Sequence, residues 1–273
     1  MLRNRILVAV LGGTLMLVGC AGIGATASFN DEAVVSERID SVRLTGGTGN
    51  VTVRVGDTVT VSRVVHYTDE RPGVTHRVDG SALVLGGCPQ RDCWVDYDVV
   101  VPRGSTVAGE SSSGDVELIG LAGVQLRVNS GSVTTHRVTG AVTLDVDSGD
   151  TTVREVGGPV SVRSDSGGVR LSGVRGNVAV QASSGDVRGE RLAGAKTSVS
   201  ASSGGIMLSP GSRQDVRAEV DSGDIELTVP DGRYRVRSHV ESGEQDIAVR
   251  DDPAARHELN LRADSGHIDV RYR

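Results

Sequence analysis

From Val116 to Val270 the apolar residues fall on alternate positions in short bursts, and the bursts keep a fixed distance from a recurring Ser-Gly pair. Two and four residues after the glycine stand Val116 and Leu118, Val169 and Leu171, Ile206 and Leu208, Ile225 and Leu227, and Ile268 and Val270. Ahead of it run Val124, Leu126 and Val128, then Val142, Leu144 and Val146, then Val160 and Val162, then Val178 and Val180. Alternation with a period of two predicts strands with one buried face. Helix-forming residues nowhere gather at 3.6-residue spacing, so the chain is expected to be almost all β.

The glycines of the pair are Gly114, Gly131, Gly149, Gly167, Gly185, Gly204, Gly223, Gly243 and Gly266, separated by steps of 17, 18, 18, 18, 19, 19, 20 and 23 residues. A supersecondary unit repeating near 18 residues predicts a solenoid. Each coil would comprise a strand, the Ser-Gly corner, a second strand and a looser corner such as Ser172 to Asn177. One coil cannot bury its valines alone. Coils stacked about 4.8 Å apart can, because each strand then pairs with its equivalents above and below. The expectation is one solenoid of about ten coils with its corner glycines in a single row. Glycine suits such a corner because it takes positive φ without a Cβ clash, while the preceding Asp or Ser hydrogen-bonds local backbone.

Ahead of the repeats the pattern loosens. Residues 111–273 read as the repeat array and residues 37–110 as a less regular β cap that hides the open end of the stack. Asn50 to Val65 alternates well, and Pro102 fits a strand end. Residues 20–36 read as a flexible tether. Cys88 and Cys93 are close in sequence with no histidine within ten residues, which favours a local disulfide over a metal site. Trp94 is expected to pack on that disulfide loop.

At the amino end Arg3 and Arg5 precede an apolar run from Ile6 to Val18 that is too short to span a bilayer. The sequence Leu17-Val18-Gly19-Cys20 resembles a bacterial lipobox. That resemblance implies a signal peptide over residues 1–19 and a lipid-modified Cys20 as the first mature residue, holding an extracytoplasmic protein on the membrane. Loss of the leader with its two arginines would take the net charge from −6 to −8. Such an acidic chain is a poor partner for nucleic acid.

The segments Ser113 to Leu118 (SGDVEL), Asp221 to Leu227 (DSGDIEL) and Val99 to Val107 (VVVPRGSTV) look like those of the bacterial putative-adhesin family, domains of unknown function. The resemblance spans roughly residues 50–273. It implies a right-handed β-helix in an exported or membrane-attached protein, and it carries over no binding residues.

Three kinds of function suit such a fold. Acids recur at the corners, with Asp147, Asp165, Asp221 and Glu241 before Ser-Gly and Asp115, Asp150, Asp186 and Asp224 after it, and calcium would relieve their repulsion. Neutral Asn129, Ser183 and Ser202 interrupt that row, and the nine-residue calcium-solenoid pattern is missing, so solvated turn acids are expected. An enzyme acting on polysaccharide is the second reading. The histidines (His66, His76, His136, His239, His257, His267) are scattered, and the chain holds one Trp, one Phe and four Tyr, few for a sugar groove. No catalytic residue, metal ligand or cofactor site is therefore assigned. The third reading, a non-catalytic envelope scaffold or adhesin-like module binding polysaccharide or protein, is the one expected.

Overall fold

The computed structural model describes residues 26–273, so the leader and Cys20 lie outside the described residues. The described chain is all β, a parallel solenoid. Seven coils follow one another in strict chain order, from Thr106–Ser113 with Val116–Ile119 to Asp215–Ser222 with Ile225–Val229. The strands before the corner pair in parallel with one another, and so do those after it.

The register aligns the core into columns. On one wall Val124, Val142, Val160, Val178, Thr197 and Val216 stand in a line. On the other, Val116, Val133, Thr151, Val169, Val187, Ile206 and Ile225 do the same. A third column, Val138, Val156, Val174 and Leu192, closes the looser corner and is also buried. Each valine or leucine removed from water contributes about 1.5–3 kcal/mol, and no coil can bury its own without neighbours.

Both ends depart from chain order. Ser41–Thr45 lies between Ala82–Leu85 and Thr106–Ser113, while Val51–Val55 lies between Trp94–Val101 and Val116–Ile119. The chain thus builds the second rung first, drops to the outermost one, then steps back over it. At the far end His257–Tyr272 is inserted between the Asp215–Val229 coil and Tyr234–Ile247, which forms the outer edge. Stacking in chain order is the alternative at both ends. The same period-two faces satisfy either order, so the pattern along the chain does not distinguish them.

Antiparallel strands finish the amino end. His76–Asp79 covers Ala82–Leu85, Thr60–Tyr67 covers Trp94–Val101, and Ala27–Val34 covers Thr60–Tyr67. Much of the segment expected as a tether is therefore a strand. Its inward side chains explain why. Asp31 makes a two-point ion pair with the buried Arg63, at 2.6 and 2.7 Å, and Phe29 packs edge-on against Tyr67 at 5.9 Å between centroids.

Candidate functional site

The repeated corner is the first candidate, because it gathers most of the polar residues that the sequence singles out. Each of its nine glycines has positive φ, from +105° at Gly114 to +144° at Gly266. A Cβ at Gly149 would overlap the carbonyl group of Gly131 directly below it, and one at Gly167 would overlap that of Gly149. Glycine is thus required twice at each corner, by conformation and by the approach of the neighbouring coil. The row runs Gly223, Gly266, Gly243 at its end, following the inserted strand. It also includes Gly49, with φ +119°, which stacks between Val95 and Gly114. Gly49 follows Thr48 instead of a serine, so a search for Ser-Gly passes over it; Thr-Gly-Asn at residues 48–50 was its signal.

The residue after the glycine links coil to coil. The backbone N–H groups of Ser132, Gly168, Gly205 and His267 donate to the carboxylates of Asp115, Asp150, Asp186 and Asp224, at 2.8, 2.9, 2.9 and 2.8 Å. At the amino end the Asp115 N–H donates to Asn50 Oδ1 at 2.9 Å, and the Asn50 N–H donates to Asp96 Oδ1 at 2.7 Å. From Asp115 onward an acid in one coil faces a non-acidic residue in the next, which avoids stacked carboxylates. These acids are solvent-facing, as expected, and each is in addition a backbone acceptor. The Gly168 N–H holds the Asp150 carboxyl below the usual carboxylate range, helped by Arg170. The Gly205 N–H does the same for Asp186, with Arg188 adding to it. The acids before Ser-Gly point outward among arginines, for example Glu241 on Arg262 at 2.8 Å. Among the described residues no three His, Cys, Asp or Glu side chains gather in a metal-binding arrangement.

The histidines are not brought together. His66 meets Asp96 at 3.2 Å, His136 meets Glu155 at 3.3 Å, and His257 meets Asp215 at 3.5 Å, each in a different part of the stack. One shallow groove of about 340 Å³ crosses four coils on the wall before the corner, lined by Ala141, Pro159, Asn177, Ala179 and Lys196 among others.

The cap holds the second candidate. Cys88 and Cys93 form a disulfide, closing a loop that replaces the Ser-Gly corner in the outermost coil. Trp94 follows Cys93 directly, and its ring stacks on His66, 4.6 Å between centroids and 9° from parallel. Inside the cap, Arg63 also donates to Gly73 O and Thr75 Oγ1, both at 2.9 Å. The Tyr97 hydroxyl sits 2.5 Å from Thr75 Oγ1 and 2.8 Å from Gly86 O, and burial raises its pKa.

A glycine-cornered parallel stack with an ion-paired, disulfide-closed cap defines an all-β solenoid repeat protein. Residues 97–272, more than half the chain, match the family model described as Toastrack DUF4097, and the chain belongs to that family, whose function is unknown. Among solved structures it is similar to a putative adhesin from Parabacteroides distasonis, 12% identical over 90% of this chain and 98% of that one, with a TM-score of 0.44. A putative adhesin from Bacteroides fragilis is also 12% identical, over 92% of this chain and 100% of that one, with a TM-score of 0.40. A putative cell adhesion protein from Clostridium sporogenes is 10% identical over 90% and 100%, with a TM-score of 0.30. No curated protein matches the sequence.

Proposed function

We propose that this protein is a surface-anchored lipoprotein, acylated on Cys20, whose β-solenoid is a non-catalytic envelope scaffold or adhesin-like interaction module. The observation that carries the non-catalytic reading is the use made of the corner acids. Asp115, Asp150, Asp186 and Asp224 spend one carboxylate oxygen each on a backbone N–H of the next coil. A group held in that way stiffens the stack and is poorly placed to move a proton or fix a substrate. The core is filled by its own valine and leucine columns, so a partner would bind an outer wall or an end. The groove across four coils and the flat strand faces suit an extended partner, with weak contacts repeated coil after coil.

The test has two arms. Mass spectrometry of the membrane fraction should find acyl chains on Cys20, and Cys20→Ala should release the protein; a membrane-free wild type with an unmodified cysteine would refute the anchor. A pull-down with envelope polysaccharide and envelope proteins, with and without calcium, should show retention without turnover. Turnover abolished by one substitution among the histidines or corner acids would turn the reading to an enzyme.

A further inference from the structure

We infer that the outward face of the amino-terminal cap, centred on Trp94, is a membrane-contacting patch that seats the base of the rod on the lipid surface. The inference rests on the anchoring reading above and names the surface that anchoring brings to the bilayer.

Register supplies the first argument. Ser28 pairs with His66, and His66 pairs with Trp94, so the three lie side by side across three strands. The strand Ala27–Val34 begins one residue before Ser28. The point where the chain leaves towards Cys20 is therefore two strand spacings, about 10 Å, from the only tryptophan. Six residues lie between Cys20 and Ala27, seven Cα steps with a reach of at most about 25 Å. An acylated Cys20 in the headgroup region would hold this face within contact distance of it.

Composition supplies the second. Of the six aromatic residues, Phe29, Tyr67, Trp94 and Tyr97 lie in the cap, and Tyr234 and Tyr272 lie at the opposite end. The distal pair is tied down, Tyr234 donating to Pro230 O and Tyr272 to Gly232 O. Tyr97 is internal. Trp94 instead is half-buried and stacks on His66, and Val64, one of three exposed large apolar residues in the described chain, stands two residues from His66 on the same side of the sheet. Indole rings settle at the water–lipid boundary. The acids of this face are engaged, Asp96 by His66 and the Asn50 N–H, and Asp98 by Arg54 at 3.3 Å; Glu32 lies towards the end away from the exit. A polysaccharide partner would also use stacking rings, but one ring backed by an isolated valine offers no second platform for a glycan chain.

The sole tryptophan is its own reporter. Full-length acylated protein is reconstituted into phosphatidylethanolamine–phosphatidylglycerol vesicles with and without dibrominated acyl chains. Trp94 emission should shift to the blue on reconstitution and fall by about half with brominated lipid, as expected for a ring at the interface. Val64→Asp should restore most of the emission while leaving the circular dichroism and thermal midpoint unchanged, which separates contact from folding. Protein that sediments with the vesicles yet keeps unquenched, unshifted Trp94 emission overturns the patch and leaves the anchor standing. Protein that stays in the supernatant overturns both.

Discussion

The backbone N–H of Gly168 donates to the carboxylate of Asp150 across 2.9 Å, from one coil to the next, and Arg170 holds the second oxygen at 3.0 Å. The ionised form is the one favoured, so the folded pKa of Asp150 lies below its unfolded value. Its stabilisation is present above about pH 4, where the unfolded chain is ionised, and is lost as pH falls through the lowered folded value. Asp186 behaves alike. Thermal melts of an Asp150→Asn, Asp186→Asn double variant should therefore depend less on pH below about 4 than the wild type. Asparagine keeps the acceptor oxygen, as Asn50 already does towards the Asp115 N–H. Asp150→Ala should instead lose about 1 kcal/mol at neutral pH.

Two glycines with positive φ should respond differently to alanine. At Gly149 the added methyl meets the Gly131 backbone at φ +131°; at Gly80, φ +63°, it meets nothing within 4 Å. Denaturant titration should show about 1 kcal/mol lost for Gly80→Ala. Gly149→Ala should cost about 4 kcal/mol or prevent folding, since two coils must separate. Equal small losses would mean that the corner row is looser than its geometry.

Two buried threonines make a matched pair. Thr151 stands in the valine column between Val133 and Val169, and its hydroxyl has no partner. Thr197 donates to Gln214 Oε1 at 3.1 Å, and Gln214 in turn donates to Leu192 O at 2.8 Å. Thr151→Val should stabilise by about 1 kcal/mol, while Thr197→Val should cost about 1–2 kcal/mol by stranding the amide. Chemical denaturation of the two variants tests both signs.

The cap depends on Arg63, 4% exposed and paired with Asp31. Asp31→Ala leaves a buried guanidinium without its carboxylate and should cost about 3 kcal/mol. Hydrogen exchange should locate the loss in Ala27–Val34 and Thr60–Tyr67, with the central coils still protected, because repeat stacks couple mainly to nearest neighbours.

What the sequence made legible was whatever repeats. Val169 and Leu171 announce a strand because Ile206 and Leu208 say the same thing at the same offset from a glycine. Asp150 was visible as a corner acid, but its acceptor role was not, since that depends on which N–H lies above it. The strand Ala27–Val34 was hidden for a related reason: its inward side carries Phe29 and Asp31, and Asp31 turns inward only because Arg63, 32 residues away, is there to pair with it. The loop from Cys88 to Cys93 stands in for a corner without sharing its residues, so only the stacking of its flanking Gly87 and Val95 against Gly47 and Gly49 reveals the equivalence.

The crossed threading at the two ends has a consequence for how such a chain can change. Among the parallel rungs, neither outermost one is the first or the last made along the strand path: Ala82–Leu85 with Trp94–Val101 lies outermost beneath the antiparallel strands at one end, and Tyr234–Ile247 lies outermost at the other. Tandem duplication at either margin would place a new coil where a returning segment must already fit. Duplication between Thr106 and Val229 meets no such obstacle, because each coil there finds an equivalent above and below. The rod is thus free to gain or lose length in its middle while its two ends are inherited as fixed pieces, like a telescoping shaft between finished ferrules.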